Sequence, residues 1–244
     1  MGDIFIGMRL DVALVERNIY PTRAKAVAAI KAGLVSVNGV AAQKPSQSVT
    51  VSDNLVGGAL PYVSGRGSLK LARALEEFRV SSSGLVCLDI GASTGGFTEV
   101  LLAGGAKKVF AVDVGTNQLV PELRNDARVV SLEQTDIRDL APIEPVDLIV
   151  IDVSFISLAD IAGVLPAWGA RGVIALIKPQ FEVPRSVAAA AGGVIKADSW
   201  HQYAVSRATE AFAANGFVRT GLTESPIRGG SGNIEYLAYF QSGV

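Results

Sequence analysis

The stretch Leu88-Asp-Ile-Gly-Ala-Ser-Thr-Gly-Gly-Phe-Thr98 decides the fold. It ends an apolar run over residues 85–90 and opens a helical pattern over 97–103. Gly91, Gly95 and Gly96 allow a sharp bend where a Cβ would obstruct a ligand. The spacing is not the G-x-G-x-x-G of dinucleotide sites, and no phosphate-loop lysine follows. A loop without a basic residue is a poor cradle for diphosphate and suits a zwitterion. The candidate binding residues are Asp89, Gly91, Ser93, Gly95, Gly96, Phe97 and Thr98, and the competing reading is a tight structural turn.

Further strand patterns occupy residues 108–114, 128–132, 148–153, 172–177, 217–222 and 235–241. Helical patterns over 68–78, 157–165 and 199–215 fill most of the gaps. Leu148-Ile-Val-Ile151 is apolar throughout, as in a strand covered on both faces. The alternation predicts an α/β fold, a doubly wound seven-stranded sheet. Its last two strands are joined without a helix, so the final one runs antiparallel. Asp113 ends the second strand, 22 residues after Gly91, where a carboxylate accepts ribose hydroxyls and repels a 2′-phosphate. Asp136 follows the third strand as an adenine contact or a helix cap.

Lys70, Asp152, Lys178 and Glu235 fall where strand ends meet. Carboxyl ends of parallel strands line the ligand crevice of such sheets, and an antiparallel last strand brings its start to the same edge. Taken singly, each residue is as readily a surface charge. Together they could serve a hydroxyl nucleophile, with Lys178 nearest its proton, Asp152 orienting Lys178, and Lys70 and Glu235 positioning the ribose that bears it. Phe155 and Phe181 follow at the same edge, as base platforms or as core.

The region 8–54 is different in kind. From Met8 to Val51, Arg9, Arg17, Arg23, Lys25, Lys31 and Lys44 stand against Asp11 and Glu16, in a 244-residue chain whose net charge is −1. Two helical patterns precede Leu34-Val-Ser-Val-Asn-Gly39, a strand and a turn built on Asn38-Gly39. Residues 55–67 read as a polar, glycine-bearing linker and 68–244 as the second domain. One cysteine and one histidine leave no His/Cys zinc site, so no metal is expected. With no run of about 18 apolar residues and no leader-like start, a cytoplasmic protein without stable membrane association is expected.

Arg9-Leu-Asp11, Arg23-x-Lys25-Ala26, Val35-x-Val37-Asn38-Gly39 and Lys44-Pro-Ser46 resemble the small α+β RNA-binding domain of the ribosomal protein S-four type. The resemblance implies RNA contacts from Arg9, Arg23, Lys25, Lys31 and Lys44, with Arg66 added from the linker. Beyond it, Asp89-Ile-Gly-Ala-Ser-Thr-Gly-Gly-Phe-Thr98, Ile151-Asp-Val-Ser-Phe-Ile-Ser-Leu158, Ile177-Lys-Pro-Gln-Phe-Glu182 and Gly232-Asn-Ile-Glu-Tyr236 resemble the TlyA (hemolysin A) family, whose catalytic domain is like the FtsJ ribose methyltransferases. That family implies a Lys-Asp-Lys-Glu tetrad at Lys70, Asp152, Lys178 and Glu235. It also implies S-adenosylmethionine as donor and 2′-O-methylation of a cytidine in rRNA, with ribosomal subunits as partners. The family's Val-Ser-Arg-Gly-Gly-x-Lys-Leu is one residue longer here, Val63-Ser-Gly-Arg-Gly-Ser-Leu-Lys-Leu71. The competing functions are a membrane-active hemolysin and a non-catalytic RNA-binding assembly factor. No spanning segment supports the first, and the complete tetrad opposes the second.

Overall fold

The computed structural model describes residues 7–20, 23–31, 33–58 and 67–243. The chain divides into two compact units, 1–65 and 66–244.

The first unit runs β1 (Met8–Arg9), α1 (Leu10–Glu16), α2 (Arg23–Lys31), β2 (Val35–Val37), β3 (Val40–Ala41), β4 (Ser48–Val49) and β5 (Leu55–Gly57). β2 and β3 form the expected hairpin, with Val37 opposite Val40. Asn38 and Gly39 both have positive φ, 53° and 82°, as a two-residue turn of this hand requires. Leu10, Leu14, Ile30, Val35 and Val49 form its core. Residues 55–57, read as linker, instead pair antiparallel with β2. Leu55 is buried there, and its run is too short and too close to Gly57-Gly58 to stand out in the sequence.

The second unit begins with α3 (Gly67–Phe78), β6 (Val86–Ile90), α4 (Gly96–Ala103), β7 (Lys108–Val112), α5 (Pro121–Arg124), β8 (Val129–Leu132), β9 (Leu148–Ile151) and α6 (Ala159–Ala162). A 3-10 turn (Leu165–Trp168), β10 (Gly172–Ile177), α7 (Pro179–Glu182), α8 (Arg185–Ala190), α9 (Asp198–Ala213), β11 (Phe217–Glu224) and β12 (Tyr236–Ser242) complete it. The seven strands lie in the order β11-β12-β10-β9-β6-β7-β8. β6 to β10 are parallel, and β12 runs antiparallel to both neighbours. The expected sheet is therefore present.

Its central strands are apolar because both faces are covered. Leu148 to Ile151 are all buried, and Trp168, Phe212 and Phe240 close the core, the last two stacked with centroids 4.1 Å apart. The helix expected over 157–165 is shorter, only Ala159–Ala162. Ser157 commits its hydroxyl to Glu182 instead of continuing a helix backwards, and Pro166 enforces the tighter turn that follows. Register decides the site. Ile90 lies opposite Ile151 and Ile177 opposite Tyr236. Gly91, Asp152, Lys178 and Glu235 thus leave adjacent strands at one edge. Among the described residues no helix is long and apolar enough to cross a membrane.

Candidate active site

Two adjoining hollows open at that edge. The first, about 290 Å3, is walled by Lys70, Asp152 and Lys178 on one side and the Gly91–Phe97 loop on the other. The second, about 250 Å3, is walled by Asp113, Asp136, Ile137 and Ile156. They share Gly91, Ser93, Asp152 and Ser154, so they form one continuous crevice. Ligand pockets of this kind span roughly 300–1,000 Å3.

Three of the four charged residues expected at the centre, Lys70, Asp152 and Lys178, line the hollow, and Glu235 stands behind Lys70. Lys70, in the first turn of α3, donates to Glu235 Oε2 at 2.6 Å, and both side chains are buried. The extra residue upstream has not displaced it. Glu235 sits one position before β12, not within it, and reaches the crevice through Lys70. Lys178 Nζ lies 2.7 Å from Asp152 Oδ1. Its hydrogen bond goes elsewhere, to Ser154 Oγ at 2.8 Å. The Lys178–Asp152 approach is ionic and off the hydrogen-bond direction, so Asp152 Oδ1 keeps an unused lone pair.

The glycine loop is built differently from expectation. A Cβ on Gly91, at φ +83°, would lie 2.5 Å from the carbonyl oxygen of Asp152. One on Gly96 would lie 3.0 Å from Ser68 N. The glycines thus admit neighbouring backbone at least as much as a ligand. Ser93, Gly96 and Phe97 line the hollow, whereas Gly95, Asp89 and Thr98 stand behind its wall. Thr98 Oγ1 donates to Asp89 Oδ2 at 2.6 Å, and Asp89 Oδ1 has no partner. Burial pushes the Asp89 carboxyl up to about 7, against the hydrogen bond from Thr98.

Asp113 accepts the backbone N–H of Ser93 at 2.8 Å and of Gly115 at 2.7 Å, one per oxygen. That fixes the loop against the end of β7 and leaves a lone pair on each oxygen for hydroxyl donors. Asp136 caps no helix. It accepts the Arg138 N–H at 2.9 Å and forks its guanidinium, which holds the carboxyl below its ordinary value.

S-adenosylmethionine fits this donor set. Carboxylates at Asp113 and Asp136 face one hollow, the loop lacks a cation, and Oδ1 of Asp152, on the wall both hollows share, accepts no hydrogen bond.

Three features were not legible in advance. Ser154 receives the Lys178 hydrogen bond. Glu182, buried, accepts Ser157 Oγ at 2.6 Å and Leu158 N at 2.8 Å, tying the segment after Lys178 to the one after Asp152. Burial raises its pKa above the ordinary carboxylate value. Arg228 lines the first hollow from a loop with no motif. Phe155 is 90% exposed at φ +68°, a conformation that strains a bulky residue, and its ring lies 5.2 Å from that of Phe181. The core reading of Phe155 is thereby overturned.

In the first unit, Arg9 and Arg23 are both held by Asp11, at 3.0 and 2.7 Å, yet stay about half exposed. Lys44 is exposed and Lys25 half-buried. The Lys31 side chain and Arg66 lie outside the described residues. His201 is buried between Tyr236 Oη at 2.7 Å and the Ile195 carbonyl at 2.9 Å, and Cys87 is buried in β6.

Comparison with known proteins agrees with this geometry. The model of FtsJ-like methyltransferases matches residues 62–242, and that of the S4 domain matches residues 8–55. Hemolysin A of Brachyspira hyodysenteriae is 43% identical over 96% of this chain and 99% of its own. The 16S/23S rRNA (cytidine-2′-O)-methyltransferase TlyA of Mycobacterium tuberculosis is 41% identical over 96% and 90%. A solved structure described as a hemolysin, from Streptococcus thermophilus, superposes with a TM-score of 0.72 at 41% identity, covering 98% of this chain and 89% of that one. With the parallel sheet, the glycine loop and the four paired charges in place, the chain belongs to the FtsJ-like methyltransferase family and carries an S4 domain ahead of its methyltransferase domain.

Proposed function

We propose that this protein transfers a methyl group to the 2′-oxygen of a cytidine ribose in rRNA. The observation that carries this is the convergence of Lys70–Glu235 and Lys178–Asp152 on one hollow, continuous with a second of the right size and polarity for adenosine. S-adenosylmethionine supplies an electrophilic methyl on a sulfonium; Asp113 would hold its ribose hydroxyls and Asp136 its adenine side. The 2′-oxygen forms the new C–O bond as the C–S bond breaks, and its proton must leave.

Lys178, acting as the free amine, would take that proton, with Asp152 and Ser154, at 2.7 and 2.8 Å, fixing the lysine's direction. Lys70, locked by Glu235, would place the ribose. Much of the acceleration comes from in-line positioning. The exposed ring of Phe155 offers a face for the unstacked base. The S4 domain would hold rRNA through Arg9, Arg23, Lys25, Lys31 and Lys44, and Arg66 would assist. With rRNA as substrate, the protein works in the cytoplasm on ribosomal subunits.

The test is tritiated methyl transfer to isolated ribosomal subunits and free rRNA, followed by mapping. Label on a ribose, at a linkage that resists alkali, is the expected result. Label on a base, or none on any subunit, overturns the reading.

A further inference from the structure

Past Phe155 the crevice continues into a third hollow of about 400 Å3. It shares Phe155 and Ile156 with the adenosine-sized hollow, and Phe181 forms part of its wall. Arg138, Arg185 and Arg207 also line it, with Asp160 as the opposing charge. None of these belongs to the tetrad or to the cofactor loop.

The three arginines are not equivalent. Arg138 is forked onto Asp136, so its charge is already answered. Arg207 is half-buried on α9 and spends one N–H on the Glu182 carbonyl at 2.6 Å, which anchors it and leaves other donors of the same guanidinium. Arg185 is exposed at the start of α8, and among the described residues it has no side-chain partner. An anchored guanidinium and an unengaged one on the walls of one hollow suit an oxyanion with several acceptor oxygens.

We propose that this third hollow holds the backbone phosphate of a nucleotide adjoining the methylated one, with Arg185 and Arg207 as its ligands. The proposal rests on the reading of RNA ribose as the methyl acceptor. A polynucleotide with one ribose in the reaction centre must leave that centre along the surface, and this hollow continues the crevice on the far side of Phe155. Asp160 weakens the grip electrostatically, which keeps the contact releasable after transfer.

The experiment uses the full chain. Binding of isolated ribosomal subunits and of protein-free rRNA is measured by filter retention over a salt series. The variants are Arg185→Ala, Arg185→Glu and Asp160→Asn, and methyl transfer and S-adenosylhomocysteine binding are followed in parallel. Arg185→Ala should weaken RNA binding about threefold and reduce the salt slope by about one. Arg185→Glu should weaken binding about tenfold, raising KM with little change in kcat, and Asp160→Asn should tighten it about twofold. S-adenosylhomocysteine binding should not change.

Wild-type RNA affinity and salt slope in Arg185→Glu overturn the proposal. So does a loss seen with intact subunits but not with protein-free rRNA, which would identify an acidic protein segment as the ligand. Arg185-dependent RNA binding without any ribose methylation would leave this hollow standing and overturn the proposed reaction instead.

Discussion

Asp11 in the first unit and Asp89 in the second are both sealed from solvent, 1% and 0% exposed, yet their chemistry diverges. Asp11 is gripped by Arg9 and Arg23, and the Arg9 hydrogen bond does most to hold its carboxyl down at about 2. Asp89 has only Thr98, through its hydroxyl and its backbone N–H, and burial drives the carboxyl up to about 7. In the first unit the chain answers its own buried charge. In the second it leaves one oxygen of Asp89 without a partner, whereas half-buried Asp152 is met by the Lys178 ammonium. Burial alone therefore does not set a carboxylate's protonation; the partners it meets there do.

The largest effect that would sharpen this contrast is at Lys178. Lys178→Ala should lower kcat for methyl transfer by about 10²–10⁴-fold while S-adenosylhomocysteine still binds by calorimetry. Near-full turnover would break the contrast, because the Lys178–Asp152 pair would then serve no reaction. Next comes ligand linkage. Cofactor at a hundred times its Kd should stabilise the second unit by about 2.7 kcal/mol. Hydrogen exchange should show the gain in β6, β7 and β9 and none in β2 or α1.

Two pH effects follow, of opposite sign. Between about pH 4 and 7 native Asp89 keeps a proton that the unfolded chain has released, so the stability of the second unit should fall as pH rises through that window and level off above it. Asp89→Asn should flatten the profile, read by urea titration at pH 5 and pH 8. Asp11 does the reverse: its contribution is present above about pH 4 and is lost as pH falls toward 2. Protection of α1 and β4 amides below pH 4 is the measurement, and Asp11→Asn should abolish the dependence.

The parts of the molecule visible in the sequence are those whose cause is local. The run from Leu148 to Ile151 announces a strand covered on both faces, and Asn38-Gly39 announces its turn. Asp152, Lys178 and Glu235 were legible because strand ends and the antiparallel finish fix which edge they share, whereas Lys70, on α3, rested on the family resemblance. The hidden parts depend on partners far apart in the chain. Glu182 finds Ser157 and Leu158 across about 25 positions, Arg207 finds the Glu182 carbonyl, and no periodicity encodes either contact. Asp89, Gly95 and Thr98 were misplaced for a related reason. A motif says which residues surround a loop, but not which side of the loop's wall each one takes.

The place of β12 has a consequence for biogenesis. This strand slots between β10 and β11, and Glu235 immediately precedes it. Insertion in the correct register is what delivers that carboxylate to Lys70, and a slip by a single position would turn the strand's side chains to the opposite face. Closing the sheet and supplying Lys70 with its carboxylate are accordingly one event, and a sheet without β12 leaves that ammonium unanswered.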